Sequence, residues 1–102
     1  MVRLSWTKQA VSDLKDIADY ISRDSKRYAG LLVHRIQAKA RLLKIQPDSG
    51  RILAELERKD VRELLEGNYR IIYRKIKSSQ IEILTIHHSA RKLKSKHLKF
   101  DI

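Results

Sequence analysis

Apolar positions along the chain change rhythm once, from helical spacing to strand-like alternation. Val2–Trp6 sets Val, Leu and Trp against Arg and Ser, which predicts a short first strand. From Lys8 to Arg23, Ala10, Val11, Leu14, Ile17, Ala18 and Ile21 recur three and four residues apart. They form one apolar stripe of a helix, and Thr7 is placed to cap its first turn. The polar stretch Asp24–Lys26 breaks the stripe. A second helix is predicted over Lys26–Ile45, with Ala29, Leu32, Val33, Ile36, Ala40 and Leu43 on one face. So short a link predicts an antiparallel helical hairpin.

Pro47, Asp48, Ser49 and Gly50 then form a breaker cluster. Arg51–Asp60 fits either a turn of helix or an irregular loop, with Ile52, Leu53 and Leu56 among charges. Val61–Glu66, Tyr69–Lys77 and Gln80–His88 read as three strands, joined by two-residue turns at Gly67–Asn68 and Ser78–Ser79. They make an antiparallel meander. A turn at Ser78–Ser79 opposes Tyr73 to Leu84, Ile71 to Ile86 and Lys75 to Glu82. Opposed residues share a face, so this register gives an apolar set and an opposite-charge pair. Leu64 joins Ile71 through the other turn. This face is expected to pack on the helices.

The second face then carries Glu63, Leu65, Arg70, Ile72, Arg74, Thr85 and His87, and is expected to be open to solvent or ligand. Arg70 lies opposite His87, with Glu63 one step away across Ile72. An arginine can fork onto phosphate oxygens, and a histidine can move a proton near neutral pH. Glu63 can orient that histidine or act as a base. A phosphodiester site is one reading of this cluster; a solvated face with cross-strand ion pairs is the other. His88 falls on the core face, as a hydrogen-bonded residue at the strand end. A one-residue slip would exchange it with His87, so it stands as the alternative catalytic histidine. Trp6 reads as a core anchor, and Tyr20, Tyr28 and Tyr69 as packing residues. His34 and His97 read as surface residues. The histidines lack metal-ligand spacing, so neither a metal nor another cofactor is expected.

Composition sharpens the picture. In 102 residues, 23 Lys and Arg outweigh 12 Asp and Glu, a net charge of +11. Such an excess repels itself and suggests a polyanionic partner: nucleic acid, a ribosome or an acidic protein. Arg74, Arg91, Lys92, Lys94 and Lys96 are the nucleic-acid-binding candidates. There is no cysteine, which excludes disulfides and thiolate metal sites. No apolar run approaches a membrane span, and no signal-peptide pattern opens the chain, so a cytoplasmic protein is expected. One domain over residues 1–102 is expected, ending in a basic tail at 92–102.

The motifs resemble those of the RelE/ParE toxin family over nearly the whole chain. Trp6-Thr7, Ala10, Asp13-Leu14, Ile17 and Tyr20-Ile21 look like its opening helix, and Pro47 with Gly50-Arg51 like its interhelical exit. Val61-Arg62-Glu63-Leu64 followed by Tyr69-Arg70-Ile71-Ile72-Tyr73-Arg74 is the most recognisable stretch. Ile83-Leu84-Thr85-Ile86-His87-His88 with Arg91 resembles the closing strand. The resemblance implies an α+β fold, β-α-α-β-β-β, with the helical hairpin packed on an antiparallel sheet. It also implies a toxin of a type II toxin–antitoxin module, held inactive by a cognate antitoxin. Two branches imply different targets. RelE-like members cut messenger RNA on the ribosome, which would make Arg70, His87 and Glu63 catalytic and the chain a metal-independent endoribonuclease. ParE-like members inhibit DNA gyrase without catalysis. An orphan or degenerate binding protein of this fold is the third reading. Arg70 matches an arginine of the ribonuclease members, whereas Glu63 stands where others carry a basic residue.

Overall fold

The computed structural model describes residues 2–56, 58–91 and 93. The strand β1 (Arg3–Trp6) leads into helices α1 (Lys8–Ser22) and α2 (Lys26–Arg41). Both helices start on side-chain caps. Thr7 Oγ1 accepts from the Ala10 N–H at 3.0 Å, and Ser25 Oγ accepts from the Tyr28 N–H at 3.0 Å, each satisfying an amide with no partner inside its helix. The second helix is shorter than its periodicity predicts. Its last turn tightens into a 3₁₀ turn at Leu42–Lys44, a common helix ending. A two-residue strand, β2 (Arg51–Ile52), precedes β3 (Val61–Glu66), β4 (Tyr69–Lys77) and β5 (Gln80–His88).

The strands form one sheet in the order β1-β5-β4-β3-β2. The sheet is mixed and not wholly antiparallel, because β1 runs parallel to β5, with Trp6 beside Ile83. Past Ile83 the edge of β5 is held by α1. The Thr7 hydroxyl donates to the Leu84 carbonyl (2.8 Å), and Asp13 accepts from the Ile86 N–H (3.1 Å) and from the Thr85 hydroxyl.

The register agrees with the sequence from Tyr69 to Ile72, where Arg70 faces His87 and Ile71 faces Ile86. It then shifts by one residue. Tyr73 pairs with Ile83 instead of Leu84, and Arg74 instead of Lys75 pairs with Glu82. A β-bulge sends the extra residue, Leu84, to the face away from the helices. Two cores result. Ala10, Leu14, Leu32, Ile36, Ala40, Leu43, Leu64, Ile71, Tyr73, Ile81, Ile83 and Ile86 pack between helices and sheet, with Trp6 against their edge. On the far face Leu84 joins Val61, Ile72, Leu53 and Leu93, with Leu56 alongside. The far face is therefore covered, contrary to expectation: Glu63 is 4% exposed and His87 7%. Tyr20 and Tyr28 depart from expectation in the other direction. They are 65% and 48% exposed and do little packing.

The breaker cluster has a specific job. The buried Tyr73 hydroxyl donates to the Pro47 carbonyl at 3.2 Å and accepts from the Gly50 N–H at 3.0 Å. A Cβ on Gly50 would lie 2.7 Å from the Glu63 carbonyl oxygen and press on the Tyr73 ring. Only glycine allows this approach. Gly50→Ala should therefore cost about 2 kcal/mol or more through overpacking, and Tyr73→Phe about 1 to 2 kcal/mol through the orphaned groups. Urea unfolding checks both; midpoints equal to the parent's would contradict the packing described.

Candidate functional site

The far face of the sheet brings Glu63, Arg70 and His87 together, and closes over them. Glu63 lies on β3 opposite Ile72, and Arg70 on β4 opposite His87 on β5. The buried Glu63 carboxylate is held from two sides. Arg51 Nε donates to Oε2 at 2.8 Å, and Arg70 Nε donates to Oε1. The pairing of β2 with β3 sets Arg51 directly beside Glu63, so the two-residue strand delivers one of the two guanidiniums.

Arg70 has a second carboxylate. Its Nη1 and Nη2 donate to the two oxygens of Glu55 at 2.8 and 2.9 Å, a bidentate fork. Glu55 sits in the turn after Leu53, whose N–H donates to the Val61 carbonyl (3.1 Å). Arg58 pairs with Asp60 further along the same loop. The Arg70 bonds, and more weakly its charge and that of His87, hold the Glu55 carboxyl below its ordinary range. Arg70 is pushed up in turn by its bonds to Glu55 and Glu63. The sequence offered no signal for Glu55. It lies in a stretch without period, and only the tertiary fold brings it to Arg70.

His87 Nε2 donates to the Arg91 carbonyl at 3.1 Å, which puts a proton on that nitrogen. His88 Nδ1 accepts from the Ala90 N–H at 3.1 Å, and its ring meets Tyr69 edge-on at 5.2 Å. His88 thus closes the turn after β5. Arg74 lies beside Val61 and Glu82, away from the Arg70 fork. Arg91 follows β5 and lines a groove between helices and sheet. Lys92, Lys94, Lys96 and His97 lie outside the described residues. Among the described residues no three His, Asp or Glu side chains converge as metal ligands. Chemically, the cluster is an alternating ladder of Arg51, Glu63, Arg70 and Glu55. Within it Arg70 offers a phosphate no guanidinium fork unless Glu55 leaves, while Arg51, bonded to Glu63 through Nε, stays largely exposed.

Comparison with known proteins agrees with the architecture. Two helices on a five-stranded mixed sheet form a RelE/ParE-like fold. The model of the ParE toxin of type II toxin–antitoxin systems matches residues 4–93. The chromosomal ParDE toxin–antitoxin system of P. aeruginosa contains a chain 30% identical, superposing with a TM-score of 0.69 over 86% of this chain and 96% of that one. The RelBE2 toxin–antitoxin complex of Mycobacterium tuberculosis contains a chain with the same fold at 21% identity, with a TM-score of 0.60 over 85% and 96%. No curated protein matches significantly. The chain belongs to the ParE toxin family.

The ladder predicts an asymmetric response. Glu63→Ala leaves Arg70 buried beside one remaining carboxylate and should cost roughly 3 to 5 kcal/mol, the scale for breaking a buried pair. Glu55 is more exposed, so Glu55→Gln should cost far less. Because the folded pKa of Glu55 is lowered, its contribution is present above the unfolded value and lost as pH falls through the folded one. Unfolding measured from neutral to acid pH should show a shallower acid loss in Glu55→Gln than in the parent. Parallel curves would contradict the assigned ion pair.

Proposed function

We propose that the chain arrests growth as a non-catalytic inhibitor of DNA gyrase, restrained by a cognate antitoxin. One observation carries the reading: the guanidinium of Arg70 is committed to Glu55 and Glu63, and Glu63 is committed to two arginines. A ribonuclease of this fold needs that arginine on the scissile phosphate and a base able to accept a proton. Here Glu63, which would orient the proton-moving His87 or itself act as a base, is bonded by Arg51 and Arg70 instead, and two carboxylates would repel the substrate's phosphate. Interface-driven inhibition makes no such demand. Membership of the ParE family supports the same branch. The antitoxin is supported by the P. aeruginosa and M. tuberculosis structures, both described as toxin–antitoxin systems or complexes. The proposed place of action is the cytoplasm, where gyrase works; no helix among the described residues is long and apolar enough to cross a membrane.

The ribosome-dependent ribonuclease remains the competing reading because Arg70 and His87 do face each other. Expression without antitoxin separates the two. A prompt fall in new DNA with protein synthesis intact is expected, together with inhibition of purified gyrase in a supercoiling assay. His87→Ala, if folded, should stay toxic. Cleaved messages, an early fall in protein synthesis and rescue by His87→Ala would overturn the proposal.

A further inference from the structure

A groove of about 760 Å³ opens between the tip of the helical hairpin and the ends of β4 and β5. Three tyrosines line it: Tyr20 from α1, Tyr28 from α2 and Tyr69 from β4. Tyr20 and Tyr28 leave 65% and 48% of their surface in water, although burial of an aromatic ring is among the largest gains a small fold has. Tyr69 is half-buried, with the His88 ring edge-on to it. Cations flank the rings. The Arg23 guanidinium sits 5.7 Å from the centre of the Tyr20 ring, and Arg91 lines the sheet side. Of the aspartates at the groove, Asp13 is taken up by Thr85 and Ile86. Asp16 is left as an acceptor facing the cavity.

We propose that this groove binds single-stranded nucleic acid, stacking bases on Tyr20, Tyr28 and Tyr69 with the backbone beside Arg23 and Arg91. Aromatic faces interleaved with cations are what an unpaired strand requires, because every base has a π-face and every link a charge. The net charge of +11 supplies the attraction at longer range. Asp16 is suited to accept from exocyclic amino groups, which adenine carries and thymine and uracil lack. The site does not use the Arg70 ladder and is independent of which target the toxin has.

Fluorescein-labelled oligodeoxyadenylate and oligoadenylate, titrated separately into the full chain at physiological salt, test this by anisotropy. Both tyrosines of the helices are exposed, so substituting them leaves the cores intact. Tyr20→Ala with Tyr28→Ala should weaken binding by about tenfold or more, the scale of losing stacked bases, while Tyr20→Phe with Tyr28→Phe should retain it. Preference for one sugar identifies the strand as DNA or RNA; either supports the site. Equal binding by the double-alanine and parent chains would reduce the interaction to surface charge and overturn the proposal. So would the absence of binding to both oligomers, or loss of antitoxin affinity in the double-alanine chain with oligomer binding unchanged.

Discussion

A carboxylate buried to 4% exposure must be paired, and the far side of this molecule is organised around pairing one. Taking Glu63 out of water would cost several kcal/mol without compensation. Arg51 and Arg70 supply it from β2 and β4, and Arg70 in turn recruits Glu55. Each link fixes a piece of backbone. Arg51 brings β2 onto β3, directly after Gly50 closes on the Tyr73 hydroxyl. Glu55 draws the following turn across the sheet, next to Leu53 and Leu56 in the second core. The chain between Pro47 and Asp60 has little regular structure of its own. Among its described residues, what holds it includes the Tyr73 hydroxyl, the ion-pair ladder, Leu53 and Leu56, and bonds from Lys75 to Asp48 and from Arg62 to the Gly50 carbonyl.

Much of this architecture is legible in the sequence, because local patterns agree with the tertiary fold. The helical stripes, the cap at Thr7, and the turns at Gly67–Asn68 and Ser78–Ser79 are local signals, and the elements fall where they point. The bulge is legible too, in hindsight of its physics. Ile81 and Ile83 alternate toward the helices, then Leu84 follows Ile83 directly and Ile86 resumes the alternation one residue out of phase. A strand whose apolar phase slips by one must either bury a polar residue or bulge. An ideal register ignores that slip and pairs Tyr73 with Leu84, which leaves the far face without its second core.

The candidate site was half legible. The pairing of Arg70 with His87 and the nearness of Glu63 follow from turn position alone. Their burial does not, because the cover comes from Leu53, Glu55 and Leu93, brought from regions without periodicity. In the sequence Arg51 stands out only as part of the Gly50-Arg51 motif. Tyr20 and Tyr28 read as packing residues by their type, but at the hairpin tip they line a groove against the sheet and stay largely exposed. Family membership and the Arg70 ladder are the observations behind the proposal of a toxin that works by contact.

The central claim is that Glu55 and Glu63 leave Arg70 no capacity to bind a phosphate. Nitrogen NMR of the Arg70 Nε–H group, followed while inorganic phosphate is added to the folded chain, tests it most directly. The account predicts a resolved, slowly exchanging signal, displaced from its usual position by the carboxylates and unmoved by millimolar phosphate. A saturable shift of that signal, with Glu55 released as phosphate binds, would contradict it and return Arg70 to the catalytic reading.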